Sequence, residues 1–140
     1  MIKRLAHVCI GATDLAETER FYLDLLGMEK AFDFFRAGQQ IGFYLKAGDS
    51  TFIEVFVENA EPRIERPLIK HFCLEVGDLD VVGDALRSKG IKVSAKKLGG
   101  DGAWQAWITD PSGVRIELMQ YSEDSSQFSG RPVDLNSSCR

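Results

Sequence analysis

This 140-residue chain has two histidines, and each opens the same short pattern. "AHVCIGATDL" runs from Ala6 to Leu15, and "KHFCLEVGDLD" from Lys70 to Asp80. In both, His is followed by an apolar residue, Cys and another apolar residue, and Asp-Leu begins seven positions after the His. A glutamate recurs too: Glu54 lies 47 residues after His7, and Glu117 lies 46 after His71. Imidazole and carboxylate together suit Zn, Ni, Co, Mn or Fe(II), and four such donors in an octahedron leave two positions for water or substrate. The deprotonated forms that this needs are available near neutral pH. A lone inward His is more often a core residue than a ligand, but here both residue types recur at duplicated positions. His7, Glu54, His71 and Glu117 are therefore the candidate ligands of one divalent metal ion per site.

The repeat extends well beyond the histidines. His7 and His71, Cys9 and Cys73, and Asp14 and Asp78 are each 64 apart. With one residue lost, the spacing becomes 63, matching Gly27 with Gly90, Ile41 with Trp104, Leu45 with Ile108 and Glu54 with Glu117. Such an offset implies duplication. Each copy reads as a strand (5–10, 72–76), a helix (14–26, 78–89) and three more strands (29–35, 40–46, 51–57; 91–97, 103–109, 114–120). Asp14 with Glu17 forms a capping-box pattern, and Gly27 and Gly90 stand where a helix end favours glycine. "AGDS" and "TDPSGV" read as tight hairpin turns. The expected fold is α+β: one domain over 1–121 made of two βαβββ modules, 1–58 and 70–121, joined by a linker at 59–69. The serine-rich tail, 122–140, has no periodic pattern.

Strand alternation sorts the side chains by face. His7 falls with Leu5 and Cys9, opposite Val8 and Ile10; His71 falls with Cys73 and Glu75. Glu54 falls with Phe52 and Phe56, and Glu117 with Arg115 and Met119. Taking the turn at 110–113 as the hairpin centre sets Trp104, Ala106 and Ile108 opposite Met119, Glu117 and Arg115. The same reasoning sets Ile41, Phe43 and Leu45 opposite Phe56, Glu54 and Phe52. Each half-barrel then turns one His and one Glu toward an apolar wall, to which Trp104, Phe43, Phe52, Phe56 and Met119 contribute. Arg115 is placed to hold a substrate anion or to pair with Glu75. The "LGGDGA" loop, Leu98–Ala103, has the glycine content of a lid.

Composition bounds the class. With 44% hydrophobic and 27% charged residues, the chain reads as a globular domain, and its formal charge of −4 offers no nucleic-acid footprint. No apolar run approaches a membrane span, and "MIKRLAHVCIG" reads as a first strand rather than a secretion signal. Three cysteines without a dense framework read as reduced thiols in the cytoplasm.

The duplicated βαβββ unit, the His opening each copy, the Glu on each last strand and "ITDPSGVRIELMQY" resemble the vicinal oxygen chelate superfamily. That group includes glyoxalase I, methylmalonyl-CoA epimerase, extradiol dioxygenases and the fosfomycin and bleomycin resistance proteins. The resemblance covers residues 1 to about 121. Within it, the order His7, Glu54, His71, Glu117 matches the ligand set of glyoxalase I. Extradiol enzymes use the two His and the final Glu, and the epimerase typically has Gln in place of Glu54. Two positions depart from glyoxalase I: Gly11 stands where an Arg holds glutathione, and Glu58 stands where that family has Asn. The resemblance implies a metal-dependent lyase or isomerase that enolises a small substrate with neighbouring oxygens, without the usual use of glutathione. Glu117, and Glu54 as its counterpart, would be the catalytic base. It also implies a homodimer with the site at the interface. The alternatives are an Fe(II)-dependent extradiol-type dioxygenase and a metal-free drug-binding resistance protein.

Overall fold

The computed structural model describes residue 1, residues 3–59 and residues 68–133. Most of the expected linker and the end of the tail lie outside these. The chain divides into two compact units, Met1–Leu68 with Thr109–Val114, and Ile69–Ile108 with the chain from Arg115 onward. Each is built around a four-stranded mixed sheet with a helix, which makes the fold α+β with two tandem βαβββ repeats.

In the first unit, β1 (His7–Ala12), β2 (Glu29–Arg36), β3 (Gln39–Lys46) and β4 (Phe52–Val57) lie in the order β1-β4-β3-β2. β1 runs parallel to β4, and β3 is antiparallel to both β2 and β4. The expected helix over 14–26 divides in two: α1 (Leu15–Arg20) continues into a π-helical turn, Phe21–Leu25. Asp14 caps it by accepting from the Glu17 N–H at 2.9 Å. Gly27, with φ of 71°, ends it. Ile10, Ala12, Phe21, Tyr22, Phe43, Leu45, Ile53 and Val55 form the core.

In the second unit, β5 (Phe72–Glu75), β6 (Lys97–Leu98), β7 (Trp104–Thr109) and β8 (Arg115–Gln120) lie in the order β5-β8-β7-β6. The strand expected over 91–97 shrinks to the two residues of β6. α2 (Leu79–Ser88) is capped by Asp78 and fastened to β8 where Gln120 Oε1 accepts from the Leu79 N–H at 2.8 Å. Leu79, Leu86, Ala106, Ile108, Ile116 and Leu118 are buried.

The Leu98–Ala103 loop is pinned rather than free. Asp101 is buried; its side chain accepts from the Ala103 N–H and from Gln127 Nε2, and its carbonyl accepts from the Ser126 N–H. Ser122 Oγ adds a bond to the Gly102 carbonyl at 3.0 Å. These bonds tie the loop to the start of the tail, which turns through α3 (Ser126–Ser129). No helix among the described residues is long and apolar enough to cross a membrane.

Two registers differ from the sequence reading by one residue, and each slip moves a whole strand to the other face. On β3, Tyr44 rather than Phe43 pairs with Glu54, while Phe43 pairs with Val55 in the core. The cause is the turn, where the Ala47 N–H donates to the Thr51 carbonyl and closes a loop one residue wider than expected. The second hairpin repeats this, because the Asp110 N–H donates to the Val114 carbonyl. Trp107 rather than Trp104 thus joins the face of His71. Phe43 and Trp104 therefore leave the expected substrate wall.

Candidate functional site

β1 and β4 set the first His–Glu pair. Parallel pairing matches Cys9 with Glu54 and His7 with Phe52, so His7 and Glu54 sit diagonally on one face of neighbouring strands. The opposite face carries Ile10 and Ala12 into the core, which fixes the orientation. His7 Nε2 stands 4.0 Å from Glu54 Oε1, with the side chains 41% and 21% exposed. Around them, Tyr44 meets His7 edge-on at 5.7 Å between ring centres and stacks on Phe32 at 4.7 Å. Phe52 lies 5.3 Å from Tyr44, and Phe34 lies 4.7 Å from Phe56. Gly42 makes that last contact feasible: it pairs with Phe34 on one side and Phe56 on the other, and a Cβ there would meet Phe56 Cδ1 at 2.7 Å.

β5 and β8 set the second pair by the same parallel rule, matching Cys73 with Glu117. His71 Nε2 lies 3.1 Å from Glu117 Oε2, and the Glu117 side chain is only 4% exposed. Glu117 Oε1 is buried without a hydrogen-bond partner. Leaving a carboxylate oxygen so placed is costly unless something electropositive meets it. Trp107 packs edge-on against His71 at 4.8 Å, and the Arg115 guanidinium lies over the Trp107 ring at 4.1 Å. Met119, paired with Glu75, is buried on the same side. Trp104 instead lies beneath Lys96, whose Nζ is 4.8 Å from its ring.

Among the described residues, no Lys or Arg ion-pairs with Glu54 or Glu117; the one ion-pair partner of each is its histidine. Three or more His, Cys, Asp or Glu side chains do not gather into a cage there, so the donors come as pairs. The chemistry of each pair nonetheless fits a divalent cation: a borderline nitrogen donor beside an un-neutralised carboxylate, one of them with a buried oxygen left over. The cysteines do not add to this. Burial, and then Glu54, pushes the Cys9 thiol up, while burial with the charges of Glu117 and Glu75 pushes Cys73 to about 11. Both shifts favour the protonated thiol, which is a poorer nucleophile than the thiolate.

Sequence reasoning missed Tyr44 and Trp107, the two rings that touch the histidines. Their signal was present: they are 63 apart, the spacing of Glu54 and Glu117, so a common register would have found both. Gly11 and Glu58, the two departures from glyoxalase I, are neighbours, since a Cβ on Gly11 would meet Glu58 Cβ at 3.1 Å.

The sequence profile of the Glyoxalase/Bleomycin resistance protein/Dioxygenase superfamily matches residues 4–118. The chain belongs to that superfamily. It is similar to a glyoxalase family protein from Enterococcus faecalis, with 27% identity, a TM-score of 0.72, and coverage of 84% of this chain and 97% of that one. A protein from Bacillus anthracis assigned to the glyoxalase family gives 25% identity and a TM-score of 0.73 over 87% and 98% of the two chains. An antibiotic-binding protein from Streptomyces sp. CB03234 shares the fold at 20% identity, with a TM-score of 0.70 over 86% and 98%. No curated protein sequence matches the chain.

Proposed function

We propose that the protein is a divalent-metal-dependent lyase or isomerase of the glyoxalase I type, acting on a small substrate with two neighbouring oxygens. His7, Glu54, His71 and Glu117 would hold the ion. The observation that carries this is Glu117 Oε1, a buried carboxylate oxygen without a partner in a pair otherwise occupied only by His71. Bound there, a divalent ion supplies Lewis acidity for a reaction that builds negative charge on a carbonyl oxygen. The residues of the chain do the rest. Glu117 takes the proton from the carbon beside the carbonyl and returns it to the neighbouring carbon. The apolar side chains beside it, Met119 and the core residues behind β8, exclude water and keep that carboxylate reactive.

The aromatic cluster of the first unit receives the apolar part of the substrate, with Phe52, Phe56 and Tyr44 nearest the Glu54 position. Gly11 and Glu58 offer no cation for glutathione, so the substrate reaches this site without that carrier in its usual place. As in many members of the superfamily, the working form is taken to be a homodimer, with a small molecule as the only substrate and the cytoplasm as the compartment.

The test is solvent deuterium exchange at the carbon beside the carbonyl, measured across a series of 2-oxoaldehyde–thiol adducts and acyl-CoA thioesters. Exchange should require added metal and disappear in Glu117→Gln. Exchange by metal-stripped protein, or by Glu117→Gln at the parent rate, contradicts the assignment. The contacting rings of Phe32, exposed, and Phe34, half-buried, give one reason to keep a second reading, capture of a planar drug without chemistry. That reading predicts tight binding that is indifferent to metal removal. Oxygen uptake with a catechol would instead mark the dioxygenase alternative.

A further inference from the structure

Arg115 has an unusual situation for an exposed arginine. Among the described residues it makes no salt bridge, although Glu117 lies two positions along the same face of β8. It is nevertheless held: its guanidinium stacks on Trp107 at 4.1 Å, and Trp107 is itself wedged against His71 at 4.8 Å. A stacked guanidinium keeps its N–H edges free while losing little further freedom when it binds. Two residues along a strand span about 7 Å, so Arg115 stands that far along β8 from Glu117, on the same face.

We propose that Arg115, carried on Trp107, recognises a carboxylate on the substrate of the site described above. The substrate class is then a small 2-oxo or 2-hydroxy compound bearing an acid group, rather than a neutral aldehyde adduct. The planar guanidinium offers a pair of parallel N–H donors, the geometry that a carboxylate accepts in bidentate fashion. The first repeat offers nothing equivalent: the residue 63 positions before Arg115 is Phe52. The assignment rests on the proposed function only in taking the His71–Glu117 pair as the reacting end.

The protein has two tryptophans, so Trp104→Phe leaves Trp107 as the only one and makes its fluorescence a local reporter. In that background, phenylglyoxylate and its methyl ester are titrated into the full chain, both metal-loaded and metal-stripped. The two probes share the ring and the neighbouring oxygens and differ by one negative charge. The acid should bind at least about tenfold tighter than the ester in both forms, the scale of one charge-assisted bidentate contact. Arg115→Gln should bring the two within about twofold, and Arg115→Lys should fall between. Equal binding of acid and ester, no binding of the acid, or a preference that survives Arg115→Gln overturns the proposal. A preference confined to loaded protein and unchanged in Arg115→Gln does so too, because it belongs to the metal. If instead His71→Ala with Glu117→Ala leaves metal content unchanged, the metal reading fails while the Arg115 preference in stripped protein still stands.

Discussion

The two repeats keep the same His–Glu pair and surround it differently. In the first, His7 and Glu54 are 4.0 Å apart and partly open, among Phe32, Phe34, Tyr44, Phe52 and Phe56. In the second, His71 and Glu117 close to 3.1 Å, Glu117 is buried, and Trp107 and Arg115 take the places of Tyr44 and Phe52. Duplication preserved the His–Glu pair and the ring that braces each histidine, and divergence fell on the residues around them. Under the proposed function the difference divides the tasks: the buried carboxylate would serve as the base, and the open pair as a binding edge.

The largest expected effect separates the two glutamates. Glu117→Gln should lower turnover by about 10²–10⁴-fold, the range of a lost general base, with a smaller loss for Glu54→Gln. Steady-state kinetics on metal-loaded variants decides this, and equal losses would erase the proposed division of labour. Next comes the register of β3. Phe43→Ala removes a fully buried ring and should cost about 3–5 kcal/mol in urea unfolding. Tyr44→Ala should cost clearly less and weaken ligand binding instead. The reverse order would restore the register expected from the sequence.

A third prediction concerns a buried contact within the first unit. Tyr22 OH donates to Asp110 Oδ2 at 3.0 Å, and Asp110 Oδ1 accepts from the Ser112 and Val114 N–H groups. Tyr22→Phe leaves that oxygen short of a donor and should cost about 1–3 kcal/mol. Burial holds the Asp110 carboxyl above its ordinary value of 3.8 in spite of these donors. The folded state thus binds the Asp110 proton more tightly than the unfolded state. Its contribution to stability is present below pH 3.8 and is lost as pH rises through the elevated value. Relative to Asp110→Asn, the parent should therefore lose stability over that acidic window, as measured by unfolding at a series of pH values. The smallest effect is expected at Arg115→Phe, which makes the second repeat resemble the first. Loss of one exposed cation–π contact should move stability by no more than about 1 kcal/mol.

Most of this architecture was legible in the sequence. The 64- and 63-residue offsets exposed the duplication, and Asp14, Asp78, Gly27 and Gly90 marked the helix ends through local chemistry. The faces of β1, β4, β5 and β8 followed from alternation, because one side of each is aliphatic. The faces of β3 and β7 did not, since each sets one large ring, Tyr44 or Trp107, opposite its apolar side. There the register hangs on how wide the turn closes, and Asp110 widens it through side-chain bonds to Ser112 and Val114 that no spacing reveals. The π-helical turn after Arg20 was hidden for a similar reason, because its apolar pattern is indistinguishable from that of an α-helix.

Metal binding by both repeats is decided by elemental analysis of purified protein. About one divalent ion per chain is expected in the parent, with most of it lost in His7→Ala with Glu54→Ala and, separately, in His71→Ala with Glu117→Ala. Unchanged metal content in either folded double variant would contradict it.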